Sequence, residues 1–161
     1  MRPALWAVRT RALGLLGRIE HRSLGPVRAA DAARFAGAAG ETDPRLLDPA
    51  HPDFQLHPMY LVSLLRGPGQ PVAGELRPDG MYRDEVPGTD GLDVLLMAGG
   101  QELTWHRPPC PGECVEQSRE LVSVRRKGRA PAQFLVLEVA KRWTTERQGL
   151  LVEATETFLV R

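Results

Sequence analysis

The sequence is short of long apolar runs, of excess charge of either sign and of cysteine. No apolar stretch approaches the length that crosses a bilayer, and Gly14 and Gly17 interrupt the apolar stretch near the N-terminus. Lysine and arginine together number 21, against 20 aspartates and glutamates, so the chain has no strong net field to attract a polyanion. These absences predict a protein that binds neither nucleic acid nor a membrane.

The two cysteines, Cys110 and Cys114, stand in one short segment, CPGEC. A metal site there would need further ligands, and only His106 is close in sequence. We therefore interpret both as reduced cysteines of a turn, and we expect no metal and no cofactor. So few cysteines are typical of a cytoplasmic protein.

Residues 1–18 differ from the rest because they carry four arginines and no acidic residue. Such a start is also typical of mitochondrial presequences, although serine is missing from it. We expect an N-terminal arm or helix, with Leu5, Trp6, Leu13 and Leu16 on one side, followed by a single domain over residues 19–161. A mitochondrial location is the alternative.

The last third of the chain has the pattern of antiparallel strands. Apolar residues alternate with polar ones in the segment 150–161, and only Glu156 interrupts the alternation. Gln133–Thr145, Val115–Arg126 and Glu102–His106 are three further candidate strands, and Ile19–Leu24 is a short edge strand. The pattern predicts a meander sheet with one apolar side.

Such a sheet needs a cover, and the best candidate is the apolar segment Pro58–Arg66. Pro58 is suited to begin a helix and Gly67 to end it, and almost no side of this helix would be polar. We therefore predict an α+β fold in which a long antiparallel sheet wraps around one apolar helix, the hot-dog arrangement. A different α+β domain is the alternative.

Between these parts, Asp31–Ala39 predicts a helix that ends at Gly40, with Ala32, Phe35, Ala36 and Ala39 on one face. The irregular segment that follows, up to Pro58, has the composition of a loop that carries polar groups to a site. Residues 67–91 are rich in proline and glycine. They are either a flap over the sheet or, as we prefer, a surface loop.

The order of motifs resembles the MaoC-like family of (R)-specific enoyl-thioester hydratases and 3-hydroxyacyl-thioester dehydratases. Gly40 to Pro44 (GETDP) is similar to the family motif of glycine, aspartate, any residue, asparagine, proline, an apolar residue and histidine. The segments MAGGQELTWHRPPCPGE and GLLVEATETFLVR resemble its N-terminal, FAS1-type dehydratase-like half-domain. The resemblance covers nearly everything from Gly17 to Arg161.

The resemblance implies a hydratase or dehydratase that acts on acyl thioesters of coenzyme A or acyl carrier protein. In catalytic members a histidine moves the C2 proton and an aspartate assists at the C3 hydroxyl, which is consistent with the acidity of a proton beside a thioester. The resemblance also implies that Met97, Gly99 and Gly100 bind the substrate.

The motif differs from the family pattern at the positions of the catalytic residues. Glu41 stands at the aspartate position, Asp43 at the asparagine position and Leu46 at the histidine position. Leucine cannot accept a proton, and the longer glutamate displaces the carboxylate from a tuned geometry. His57 is a candidate replacement base, so Glu41, Asp43 and His57 are the candidate catalytic residues.

A degenerate motif resembles the inactive half of paired hot-dog enzymes, in which one half keeps the catalytic residues and the other shapes the acyl channel. We therefore expect a dehydratase or hydratase subunit that forms a hetero-oligomer with a catalytic MaoC-like chain, or else a homodimer. Two alternatives stay open. One is a self-sufficient tailoring lyase or cyclase acting on a carrier-bound intermediate, and the other is a non-catalytic acyl-binding scaffold.

Overall fold

One five-stranded antiparallel sheet organises the chain in the computed structural model, which describes residues 2–64, 72 and 74–161. Its strands are β1 (Ile19–Pro26), β2 (Leu96–Trp105), β3 (Cys114–Lys127), β4 (Phe134–Thr145) and β5 (Gly149–Val160). All five predicted strands are confirmed. The largest difference is at β2, which begins at Leu96 rather than at Glu102.

The strand order is β1-β3-β4-β5-β2. Strands β3, β4 and β5 form the predicted meander, but the prediction is wrong for β2. This strand pairs with the far side of β5, so that Trp105 lies opposite Val152, and the chain then crosses the sheet to reach β3. β1 and β2 are therefore the two edges of the sheet.

Four helical segments accompany the sheet: α1 (Pro3–Leu15), α2 (Ala29–Ala38), α3 (Pro44–Leu47) and α4 (Tyr60–Ser63). The predicted second helix is confirmed as α2, which Gly40 follows with a φ of +84°, a conformation that glycine adopts without strain. Its buried residues are Ala32, Ala33 and Ala36, whereas Ala39 is exposed. The predicted face is therefore confirmed for Ala32 and Ala36 and for Phe35, which packs against the core, and it is wrong for Ala39.

The apolar helix is shorter than predicted. It begins at Tyr60 rather than Pro58 and ends at Ser63, because Leu64 leaves the helical conformation with a ψ of 79°. Residues 65–67, which complete the prediction, lie outside the described residues. Tyr60, Leu61 and Val62 are all buried, so this turn is enclosed on most sides, as expected.

Helix α1 packs on the sheet with a face that differs from the predicted one. Leu5, Val8 and Ala12 are buried, whereas Trp6 and Leu13 are exposed. The spacing of the buried set is three and four residues, which is one helical stripe. Within the described residues, no helix is long and apolar enough to cross a membrane.

The inner face of the sheet carries two apolar clusters, one at each end. One cluster joins α2 and α4 to the sheet around Trp143 and Val152, and the other joins α1 to the sheet around Leu137 and Phe158. Along β4 these residues alternate with outward-facing ones, so that Lys141 falls between the two clusters on the same face. The sheet thus has a charged centre between two apolar ends.

Residues 74–95, which we call the flap, cover the second cluster. Val86 and Val94 are buried and Met81 packs against them. The preference for a surface loop over residues 67–91 is therefore wrong for the part of this segment that packs on the core. Its many glycines and prolines concealed the few valines that fix it to the sheet.

Candidate functional site

Two of the predicted site residues come together. Glu41 lies just after α2 and His57 just before α4, and His57 Nε2 is 3.3 Å from Glu41 Oε1. The imidazole side chain is 16% exposed and the carboxylate 36%, and the ring of Phe35 packs edge-on against His57 at 5.3 Å between centroids. Helices α2 and α4 therefore hold an imidazole–carboxylate pair at the end of the first cluster.

Hydrogen bonding determines what this imidazole can do. The backbone N–H of Met59 donates to His57 Nδ1 at 3.1 Å, so in a neutral ring the proton is on Nε2, which faces Glu41. A neutral His57 in this geometry is a donor, and Glu41 is the group with free lone pairs. His51, the other histidine of the loop, is held similarly because its Nδ1 accepts the N–H of Asp53.

Asp43 is engaged elsewhere. Its carboxylate caps α3 by accepting the backbone N–H of Arg45 at 2.9 Å, and it accepts the Arg45 guanidinium at 3.0 and 2.6 Å. The side-chain hydrogen bonds from Arg45, followed by its backbone N–H, hold the pKa of Asp43 below its ordinary value. An ionised, clamped carboxylate of this kind is a structural cap and a poor proton donor.

Leu46, which the motif predicts at the position of the family histidine, belongs to the same short helix. Its N–H donates to the carbonyl of Asp43 at 2.9 Å, and its side chain is half-buried. The structure therefore shows a half-buried apolar side chain held by the turn that Asp43 caps.

His57 also lines a cavity of about 550 Å³, which we call the helix-side cavity. Its walls are mostly apolar, and Trp105 Nε1 donates to the carbonyl of Pro58 at 3.3 Å, which ties the end of β2 to the start of α4. The lining residues are Gln55, Leu56, His57, Pro58, Leu61, Trp105, His106, Arg107, Pro108, Pro109 and Val152. An apolar cleft with a few polar groups at its wall is the ordinary form of a small-molecule site.

His106 forms an ion pair that was not predicted from the sequence. Its Nε2 is 3.0 Å from Glu153 Oε2, and Arg142 donates to Glu153 Oε1 at 2.9 Å. Glu153 faces away from the core, between the buried Val152 and Ala154. The three side chains of His106, Glu153 and Arg142 therefore lie on the outer face of the sheet. Hydrogen bonds from Arg142 and then His106 lower the pKa of Glu153. We interpret these contacts as ordinary ion pairs of the protein surface.

The predicted substrate-binding residues lie away from Glu41 and His57. Gly99 and Gly100 line a second cavity of about 620 Å³, the flap-side cavity, between β2, β5 and the flap. Met97 does not line it. Met97 is 51% exposed and lies opposite Leu159, an outward-facing residue of β5.

A buried charge cluster forms part of the wall of the flap-side cavity. Lys141 Nζ is 2.6 Å from Glu85 Oε1 and 2.7 Å from Glu156 Oε2, and the lysine side chain is only 4% exposed. Gln101 donates to the other oxygen of Glu156 at 2.9 Å. The signal in the sequence was Glu156, the residue that interrupts the apolar alternation of β5.

No group of three histidine, cysteine, aspartate or glutamate side chains is arranged to hold a metal ion among the described residues. Cys110 and Cys114 are free and exposed.

Comparison with known proteins gives a family and a fold. A family model described as FAS1-like, dehydratase domain region, matches residues 17–154. No curated protein sequence is similar enough to the chain to count as a match.

Several solved structures are similar. The ChsH1–ChsH2 complex from Mycobacterium tuberculosis contains a chain with a TM-score of 0.66 and 20% identity, over 94% of this chain and 89% of that one. The (R)-hydratase of A. caviae involved in PHA biosynthesis has a TM-score of 0.60 and 22% identity, over 89% and 94%. The HadBC (3R-hydroxyacyl-ACP dehydratase) complex of M. tuberculosis has a TM-score of 0.58 and 17% identity, over 90% and 96%. At these identities the likeness establishes the fold, and the predicted hot-dog architecture is confirmed.

Proposed function

This chain belongs to the FAS1-like dehydratase domain family, and we propose from that premise that it is a subunit of a 3-hydroxyacyl-thioester dehydratase or enoyl-thioester hydratase. Its substrate is an acyl chain carried by coenzyme A or acyl carrier protein. A second, catalytic hot-dog chain supplies the proton-transferring histidine, and this chain supplies part of the cavity that holds the acyl group.

One observation carries the proposal. The motif alignment predicts Leu46 at the histidine position, and a nearby imidazole, that of His57, has its Nδ1 lone pair occupied by the N–H of Met59. A neutral His57 therefore has no lone pair with which to take the C2 proton. The described part of the motif offers one carboxylate that Arg45 does not hold, Glu41, where the family reaction uses a carboxylate and an imidazole.

The different roles proposed for the two chains follow from the steps of the reaction. Elimination of water from a 3-hydroxyacyl thioester removes a proton from C2 and the hydroxyl from C3, and the hydroxyl leaves as water only if a proton is delivered to it. In the family reaction an imidazole takes the first proton and an acid delivers the second, both within hydrogen-bonding reach of the substrate. A chain with Leu46 in place of the imidazole is suited to binding and orientation.

The edge strand β2 supports the pairing with a second chain. Its inner neighbour is β5, and no other described strand pairs with its outer side. An open edge with exposed apolar residues, here Leu95 and Met97, is a template for another strand. Two of the similar structures are complexes of two chains, which is consistent with an assembly of this kind.

A self-sufficient enzyme is the second candidate, and the contact between His57 and Glu41 favours it. In that reading Glu41 takes the C2 proton, becomes a carboxylic acid and returns the proton to the departing hydroxyl, while His57 orients it through Nε2–H. One carboxylate then serves both steps, so that atoms and charge balance without a second base.

The experiment compares the purified chain with the chain co-expressed with candidate catalytic hot-dog subunits. Hydration of crotonyl-CoA and of crotonyl-acyl carrier protein is followed by the loss of enoyl-thioester absorbance. We expect the pure chain to show less than about 1% of the rate of the complex, since loss of a proton-transfer group lowers rates by about 10²- to 10⁴-fold.

Three variants separate the candidates. Under the subunit proposal, Glu41→Gln and His57→Asn change the rate of the complex only a few-fold. Under the self-sufficient reading, the pure chain is active and Glu41→Gln abolishes that activity. Asp43→Asn is the matched control in the same motif, because Arg45 already occupies the Asp43 carboxylate. Enzyme-like rates from the pure wild-type chain would reject the subunit proposal.

A further inference from the structure

The flap-side cavity contains a carboxylate oxygen that is free to bind a ligand. Glu85 Oε1 accepts a hydrogen bond from Lys141 at 2.6 Å, whereas the other oxygen, Oε2, has no hydrogen-bond partner among the described residues. The Glu85 side chain is 13% exposed and lines the cavity. The flap therefore holds one hydrogen-bond acceptor, partly desolvated, at the cavity wall.

Stability alone does not account for this cluster. Its three charged groups lie between two apolar clusters of the inner face. Buried ion pairs can often be replaced by apolar residues with no loss of stability, because removal of the charges from water offsets their attraction. A lysine and two glutamates in this position, with Glu85 and Glu156 both at the wall of the cavity, indicate a role in binding.

The rest of the cavity wall is mainly apolar, and it includes Met81, Ala98 and Phe158. Gly99 also lines it and lies close to β5, since a Cβ there would be 3.1 Å from Thr157 Cγ2. The other described carboxylate of the wall, Glu156, already accepts a hydrogen bond from Gln101 and forms an ion pair with Lys141. The cavity thus fits an apolar chain that carries one hydrogen-bond donor, and it disfavours a chain that ends in a carboxylate.

We propose that the flap-side cavity binds the hydroxylated acyl chain of a 3-hydroxyacyl thioester, with Glu85 Oε2 accepting the hydrogen bond of the hydroxyl group. The choice of thioester rests on the proposed function. The requirement for an apolar chain with a donor rests on the cavity itself. Glu85 is then a specificity-determining residue that distinguishes hydroxylated from saturated chains.

The test measures binding without turnover. The probes are S-(3-hydroxyhexanoyl)pantetheine and S-hexanoylpantetheine, titrated into the ¹⁵N-labelled chain and followed by amide shifts. We expect the hydroxylated probe to bind about tenfold more tightly, the fold-change of one hydrogen bond to a charged group. The largest shifts should fall at Ala98, Gly100 and Thr157. Equal affinities, or shifts confined to the helix-side cavity, would overturn the proposal.

Two variants and one control locate the effect. Glu85→Met removes the acceptor but leaves Lys141 paired with Glu156, and we expect it to bind both probes equally. Glu138→Gln neutralises a carboxylate that pairs with Arg125, and it should keep the tenfold preference. Ala98→Leu fills the cavity without touching the charge cluster, and it should weaken both probes. Retention of the preference in Glu85→Met would reject the role of Glu85, even if Ala98→Leu confirmed the cavity.

The two proposals fail separately. A chain that prefers the hydroxylated probe, but forms no active dehydratase with any hot-dog partner, would reject the proposed function and leave this site standing. An active complex whose Glu85→Met variant discriminates as well as the wild type would do the opposite.

Discussion

Lys141 Nζ lies 2.7 Å from Glu156 Oε2, although the two residues are not directly opposite in the sheet. Lys141 is in register with Ala154, and Glu156 is in register with Val139, so the contact is a diagonal one that the long side chains bridge on the inner face. Because Glu85 approaches the same ammonium from the flap, one lysine joins β4, β5 and the flap.

Loss of this lysine should be strongly destabilising. In Lys141→Met two buried carboxylates lose their common cation, and breaking a buried ion pair from one side typically costs about 3–5 kcal/mol. Urea unfolding at pH 7, followed by circular dichroism, measures the change. Arg142→Met is the control on the outer face, where the pair with Glu153 is half-exposed, and its midpoint should fall far less than that of Lys141→Met. Equal midpoints for the two variants would contradict the prediction.

The sheet could be predicted from the sequence because strand alternation is a local signal. The segments around Trp143 and Phe158 showed the period of two and the β-branched residues of half-buried strands. The position of β2 could not be predicted, because its partner is chosen by hydrogen bonding to β5 and not by its own pattern. The buried face of α1 was also missed, since Val8 and Ala12 are buried by a flap and a sheet that lie far away in sequence.

The candidate site was predictable only in part. Glu41 and His57 could be named from the motif and from residue type, but their contact depends on how α2 and α4 pack. Whether His57 can act as a base is decided by the N–H of Met59, and no residue type reveals a backbone hydrogen bond. Glu156 could be noticed in the sequence because it interrupts the apolar alternation of β5. Lys141 and Glu85, which complete the charge cluster, are identified only by the fold.

Met97 should matter for assembly. A charge on an edge strand blocks pairing with another strand, so Met97→Lys should shift the complex with a catalytic chain, or the homodimer, toward monomer by about tenfold or more in dissociation constant. Sedimentation velocity across a concentration series measures this. Val122→Lys is the matched control, because Val122 is also exposed but lies on the interior strand β3. The edge-pairing model is wrong if both variants associate like the wild type.

Glu153 should titrate below an ordinary glutamate. Hydrogen bonds from Arg142 and then His106 hold its pKa below the usual 4.5, so Arg142→Met should raise that pKa. A lowered folded-state pKa stabilises the fold above the unfolded-state value, and this contribution disappears as the pH falls through the folded-state pKa. The stability difference between wild type and Arg142→Met should therefore be present at neutral pH and vanish in acid. Carboxyl ¹³C titration measures the pKa directly, and an unchanged Glu153 curve in the variant would contradict the assignment.

Substitution of two glycines should distinguish the effect of backbone strain on stability from the effect of close packing. Gly88 and Gly40 have nearly the same φ, +82° and +84°, so alanine at either position meets the same left-handed penalty of about 1–2 kcal/mol. Only at Gly88 would the new Cβ approach another element, at 2.9 Å from the backbone nitrogen of Ala12 in α1. Because a helix backbone cannot yield as a flexible side chain can, Gly88→Ala should lose a further 1–3 kcal/mol or so from overpacking. Urea unfolding of both variants measures the difference. Equal losses would mean that the flap does not press on α1 as closely as this contact requires.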